Sequence, residues 1–174
     1  MKYNLIEAIQ ILERTPKVLS VYLKDLNDNW LMNNEGGESW SPFDVLGHLV
    51  HGEKTDWIAR LHIILSDRDD KTFEPFDRFA QLKDSNGKTT NELLEEFQAL
   101  RTHNIALLKA ANIQPKDYIK TGIHPSLGTV TLEQLLSVWV AHDLGHIAQI
   151  SRVMAKQYKE NVGPWKEYLR VVND

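Results

Sequence analysis

The sequence predicts an all-α protein: a four-helix bundle with a short β-hairpin ahead of its last long helix. Three observations predict it. Capping boxes recur at Ser41 with Asp44, Thr89 with Glu92 and Thr131 with Gln134, each pairing a hydroxyl with an acid or amide three residues on. Apolar residues then recur at helical spacing. Polar connections bearing Gly and Pro separate the segments. A chain of 174 residues suffices for one domain, residues 1–174, with a substantial core.

The first helical pattern runs from about Asn4 to Leu26, with Leu5, Ile9, Leu12, Leu19, Tyr22, Leu23 and Leu26 on its apolar face. Thr15-Pro16 interrupts it, and Pro suits only a first turn, so Thr15 is expected to cap a second helical piece. A turn-rich stretch with Gly36-Gly37 follows. Ser41 then stands as N-cap with Pro42 at N1 and Asp44 at N3, opening a helix expected to continue to Leu65. The connection from Ser66 to Lys88 is polar and irregular. Thr89 opens a third helix with Leu93, Phe97, Leu100, Ile105 and Leu108 inward. Ala111 to Val130 carries Pro115, Gly122, Pro125 and Gly128, and a short hairpin fits around Tyr118–Ile123 and Thr129–Thr131. Thr131 caps a helix of roughly 28 residues, apolar at Leu132, Leu135, Leu136, Trp139, Leu144, Ile147, Ile150 and Met154. Consecutive helices of this kind are expected to pack antiparallel.

Composition narrows the function. Apolar residues make up 42% and charged residues 25%, with a net charge of −4, ordinary for a globular protein. A mildly acidic chain with no block of Lys or Arg argues against nucleic-acid binding. There is no run of 18 apolar residues and no secretory signal, so neither a membrane span nor export is expected and the cytoplasm is the default. Cysteine is absent, which excludes disulfides, thiolate metal ligands and a cysteine nucleophile. Any metal must be held by His, Asp or Glu.

"WVAHDLGHIAQISRVM" places His142 and His146 four residues apart in an apolar helix. They are separated by about 40° around the axis and about 6 Å along it, so both can face one ion. Two readings stand: histidines satisfying a core, or ligands. The pattern is not the metalloprotease H-E-x-x-H, and Asp143 after His142 suits a solvated face. Among the other histidines, His48 lies on an apolar helix face, His51 is one turn later, His62 is near a helix end, and His103 suits a surface. "LGHL" around His48 and "LGHI" around His146 repeat one short pattern. A helical glycine costs about 1 kcal/mol relative to Ala, so Gly47 and Gly145 suggest a close approach of two helices at one layer, which would bring His48 to His142 and His146.

"WSPFDVLGHLVHGEKTDW", "FEPFDRF" and "GIHPSLGTVTLEQLLSVWVAHDLGHIAQISRVM" resemble, in order and over nearly the whole chain, the DinB-like (DinB/YfiT) superfamily of metal-binding four-helix bundles. The resemblance implies that His48, His142 and His146 together bind one divalent ion (Zn, Ni or similar), with His48 preferred to His51. It also implies a small-molecule substrate and a homodimer. The family includes thiol-dependent S-transferases, which use a low-molecular-weight thiol as cosubstrate, and proteins described as metal-dependent hydrolases.

Three neutral imidazoles leave an open coordination position, the form of a catalytic site. There, an ion can acidify water for hydrolysis or stabilise the thiolate of a cosubstrate. The absence of Cys suits a thiol supplied from outside. For acid–base work the candidates are Asp44, one turn before His48 but suited to its capping box, and His124, in the "HPSLG" segment. A non-catalytic, stress-associated binding module with a structural metal is the alternative, and a closing fourth ligand would mark it.

Overall fold

The structure, a computed structural model, describes residues 2–173. Nine α-helices and two strands are found among them. Asn4 caps α1 (Leu5–Leu12), its side chain accepting from the amides of Ile6 and Glu7. α2 (Thr15–Leu23) follows after two residues. Thr15 does not cap it, contrary to the sequence expectation. It is the first helical residue, and its hydroxyl donates to the Ile11 carbonyl at 3.2 Å. α3 is the short Asp28–Leu31 turn.

Ser41 caps α4 (Pro42–Thr55) as its sequence foretells. Its Oγ accepts from the Asp44 amide at 3.2 Å, and Asp44 Oδ2 accepts from the Ser41 amide at 3.0 Å. The helix expected to continue to Leu65 is instead interrupted at Asp56, whose φ of −109° and ψ of −74° depart from the helical values, and α5 (Trp57–Leu65) follows directly. Thr55 contributes to the break. Its hydroxyl donates to the His51 carbonyl at 2.9 Å, a back-bond that bends helices. α6 (Ala80–Asp84) lies within the connection that was expected to be irregular.

The remaining caps match their residues. Thr89 and Glu92 open α7 (Thr90–Ala110), and Thr131 with Gln134 opens α8 (Leu132–Lys156), 25 residues long. Between them β1 (Thr121–His124) pairs antiparallel with β2 (Gly128–Thr131), Thr121 opposite Thr131 and His124 opposite Gly128. The hairpin thus sits three residues later at its first strand than expected. α9 (Arg170–Asn173) ends the described chain. No helix of the described residues is long and apolar enough to cross a membrane.

Two apolar clusters stack along the bundle. One gathers Leu12, Trp57, Leu61, Ile64, Leu108, Leu132 and Trp139. The other gathers Leu19, Leu23, Leu46, Leu49, Leu93, Phe97, Ile150 and Met154. Their membership gives the helix directions. α1–α2 and α8 run from the first cluster to the second, while α4–α5 and α7 both run from the second to the first. The second and third long helices are therefore parallel, not antiparallel. The connection 66–89 makes this possible by returning the chain along the length of the bundle. It packs Phe73 into the first cluster and brings Gln81 and Ser85 against Gly47 at the second.

A charged layer separates the clusters. Arg101 of α7 is 1% exposed and Asp143 of α8 is fully buried. Arg101 donates to both Asp143 oxygens at 2.6 and 3.0 Å, to Glu53 Oε1 at 2.9 Å and to the Leu12 carbonyl at 2.9 Å. Asn104 and Trp139 add donors to Glu53. Asp143 is thus not on a solvated face, as its polarity suggested. Leu144 takes the exposed position instead, at 49%.

Candidate metal centre

α4 and α8 bring three imidazoles together. His48 comes from the middle of α4, and His142 and His146 come from successive turns of α8. The Nε2 atoms of His48 and His142 are 3.2 Å apart, and those of His142 and His146 are 3.0 Å apart. One ligand atom from each of the three lies within 4.8 Å of the others. The sequence grouping is therefore realised in space, but not for the reason the glycines suggested. A Cβ on Gly47 would meet Ser85 and lie 3.3 Å from Gln81, both in or beside α6, while a Cβ on Gly145 would meet nothing within 4 Å. At this layer α4 and α8 meet through the rings of His48, His142 and His146.

Those aromatics fix the rings. Trp40 lies 4.8 Å from His48, Phe76 lies 5.4 Å from it, and Trp57 lies 5.1 Å from His142, centroid to centroid. Trp57 in turn stacks on Trp139 at 5.5 Å with planes 9° apart. Beneath, the Arg101–Asp143 pair locks the rotation of α8 between its two histidines. Burial is the main force on the ring charges. It pushes His48 down to about 4 and His142 down to about 3, helped by the neighbouring imidazoles, and it also lowers His146. All three rings are neutral at pH 7, the state a metal requires.

The donor set fits a divalent ion. Tetrahedral coordination at about 2.0–2.1 Å per nitrogen would hold adjacent nitrogens about 3.3 Å apart, close to the separations here. Three inward-facing Nε2 atoms also crowd more lone pairs into one place than protons between rings can relieve. An outer partner, which usually orients a metal-bound imidazole, is present for one ring: His146 Nδ1 lies 2.8 Å from Gln149 Oε1. The Nδ1 atoms of His48 and His142 are buried with no hydrogen-bond partner among the described residues.

The other histidines stand apart. His51 faces Phe76 at 5.0 Å, with its Nδ1 3.5 Å from Asp84 Oδ2. His62 and His103 are exposed. No carboxylate joins the three-histidine group as a fourth member among the described residues.

The triad opens on a cavity of about 730 Å³ whose walls include Trp40, Trp57, Phe73 and Phe76. Of the acid–base candidates, Asp44 does not line it, and its carboxylate is spent on the Ser41 cap. His124 does line it. Its Nδ1 accepts from the amides of Ser126 at 3.1 Å and Leu127 at 3.2 Å, which assigns the proton to Nε2. Sequence reasoning passed over two residues of this wall, Asp56 and Arg60. Asp56 and Arg60 continue the four-residue steps of His48 and Gly52 along the same cavity wall, and Arg60 pairs with Asp56 from the next turn. Burial pushes Asp56 up to about 6, against the pull of Arg60. An Asp two turns from His48 shows its helix position in the sequence but not its burial, which depends on what packs over it.

Comparison with known proteins agrees with this architecture. The family model described as the DinB superfamily matches residues 11–150. A protein of Oceanobacillus iheyensis with the provisional name metal-dependent hydrolase OB0782 is 24% identical over 153 residues, 87% of this chain and 86% of its own. YfiT of Bacillus subtilis, also provisionally named a metal-dependent hydrolase, is 28% identical over 149 residues, 83% of this chain and 81% of its own. A solved structure of Bacillus subtilis YfiT, described as an unusual four-helix bundle topology, superposes with a TM-score of 0.75 at 24% identity, covering 90% of this chain and 89% of that one.

Proposed function

The chain belongs to the DinB superfamily, and from that premise we propose that it is a metal-dependent hydrolase of a small molecule, its ion held by His48, His142 and His146. One observation carries the reading: three neutral imidazoles converge at the wall of a cavity of about 730 Å³. The provisional hydrolase names of the two relatives support it. When bound, a divalent ion supplies Lewis acidity, polarising a carbonyl or acidifying a coordinated water or thiol.

The chain's own residues do the rest. His48, His142 and His146 stay neutral through burial and offer Nε2 lone pairs. Asp56 takes up and returns the proton at its carboxylate. With a pKa of about 6 it is largely ionised at pH 7 yet basic enough to accept, as a general base should be. His124 presents Nε2–H to a substrate oxygen, its tautomer set by the two loop amides. Trp40, Phe73 and Phe76 shield the reaction from bulk water.

The test is elemental analysis of protein purified without a histidine tag, followed by a panel of small esters and amides with and without chelator. His48→Ala, His142→Ala and His146→Ala should each lose most of the bound metal, while His51→Ala should keep it. Hydrolysis should vanish with the metal and return on reloading. If none of the three variants lowers metal content, the reading is wrong at its root. Adding a low-molecular-weight thiol with an electrophilic acceptor to the panel separates an S-transferase from a hydrolase. Full metal loading with no turnover in either arm would instead mark a non-catalytic metal-binding module.

A further inference from the structure

The cavity's charge opposes that of the chain. The chain carries a net −4, yet the charged side chains lining the cavity are Asp56, Arg60 and Arg78. Arg60 and Asp56 are matched through the Arg60 Nε contact, which leaves Arg78 as the uncompensated charge. Arg78 pairs with no carboxylate among the described residues. It is held by faces instead, its guanidinium 5.8 Å from the Trp40 ring centroid and 5.1 Å from that of Phe79. A guanidinium held by its face keeps its N–H edge available for the two parallel hydrogen bonds that carboxylates and phosphates accept. Arg60 is poised similarly, 5.2 Å over the Phe73 ring, with no described acceptor for its terminal nitrogens.

The placement relative to the triad sets the ligand's shape. Trp40 touches both ends, 4.8 Å from the His48 ring and 5.8 Å from Arg78. One indole therefore spans from the imidazoles to the cation, and the wall between is aromatic. We infer that the substrate is an organic anion with an apolar body: its carboxylate or phosphate is taken by Arg78, with Arg60 a second cation in the same cavity lining, while the body lies on Trp40, Phe73 and Phe76. The inference rests on reading the cavity as the substrate site of the proposed enzyme. It names the class of compound that site selects.

Isothermal titration calorimetry on chelator-treated protein tests it, because removing metal leaves only the arginines to favour an anion. The probes are 4-phenylbutyrate, its neutral amide, and 3-phenylpropyl phosphate, at low ionic strength. The acid should bind at least tenfold more tightly than the amide, and the stronger of carboxylate and phosphate names the group. Arg78→Met should bring the anions down to the amide's affinity, Arg78→Lys should keep part of the preference, and Lys159→Met, outside the cavity, should behave as wild type. Circular dichroism confirms that the variants are folded. Equal affinity for acid and amide in the wild type, or an undiminished preference in Arg78→Met, overturns the inference. The measurement needs neither ion nor turnover. An anion preference in a protein whose histidines bind no metal sinks the hydrolase reading alone, and a metal-loaded protein with no anion preference sinks this one alone.

Discussion

Replacing Arg101 by Met probes the layer that holds the three histidines in place. Met keeps most of the side chain's length and apolar contact with Phe97 and Trp139, on which the guanidinium lies at 4.9 and 5.2 Å. What it removes is the one cation that pairs with Glu53 and Asp143 among the described residues, and the side chains of both acids have no exposed surface. Breaking a buried pair by taking one partner costs about 3–5 kcal/mol, because the other charge stays buried. With a urea m-value of about 2 kcal/mol/M, the unfolding midpoint should fall by about 1.5–2.5 M. The deficit should depend on pH with a definite sign. Without Arg101 the two carboxyls are relieved by protonation, so their folded pKa values rise above the unfolded ones. Such groups are least costly below the unfolded carboxylate pKa and most costly once pH passes the folded value. Glu53 already leans this way, since burial raises it even beside Arg101. The gap between variant and wild type should therefore be widest at pH 7 and narrow by pH 5. Adding Glu53→Gln and Asp143→Asn should recover part of the loss. A midpoint shift under about 0.3 M at unchanged m, or a gap that widens on acidification, would refute the reasoning.

Three further outcomes are expected. Gly145→Ala should stabilise by about 0.5–1 kcal/mol, because the added methyl meets open space and gains helix propensity, whereas Gly47→Ala should destabilise by crowding Ser85 and Gln81. Thermal melts of the pair decide it, and a loss at Gly145 would mean that face is covered. In chelator-treated protein, His48, His142 and His146 have folded pKa values below the ordinary 6.5, so their contribution is full above pH 6.5 and lost as pH falls toward 4. The melting temperature should drop over that window, and His142→Phe should flatten the drop, so parallel curves would contradict it. For Asp56→Asn, the rise of kcat/KM with pH through about 6 should disappear, together with roughly 10²–10⁴ of the rate. A wild-type pH limb in the variant would remove Asp56 from the proton's path.

Much of this was legible before any tertiary structure. Ser41, Thr89 and Thr131 announce their helices because a cap is a contact within three or four residues of chain. The shared face of His142 and His146 follows from helix geometry alone, and the family resemblance supplied His48. Gly47 and Gly145 point to the same grouping, but not because they bring α4 and α8 together. One glycine admits α6 and the other faces open space, and sequence spacing cannot tell which neighbour a missing Cβ makes room for.

Helix starts, the apolar faces and the neutral-ligand chemistry available to a cysteine-free chain were thus determined by the sequence by itself, because each depends on residues close together along it. Whether α7 runs with or against α4–α5, and that Asp56 is buried in the cavity wall, was decided only by the tertiary structure. So was the burial of Asp143 and Glu53 around Arg101. All three depend on how the connection 66–89 returns along the bundle and on which partners meet across it. A carboxylate reads as solvated until the guanidinium that permits its burial, 42 residues away for Asp143 and 48 for Glu53, is folded against it.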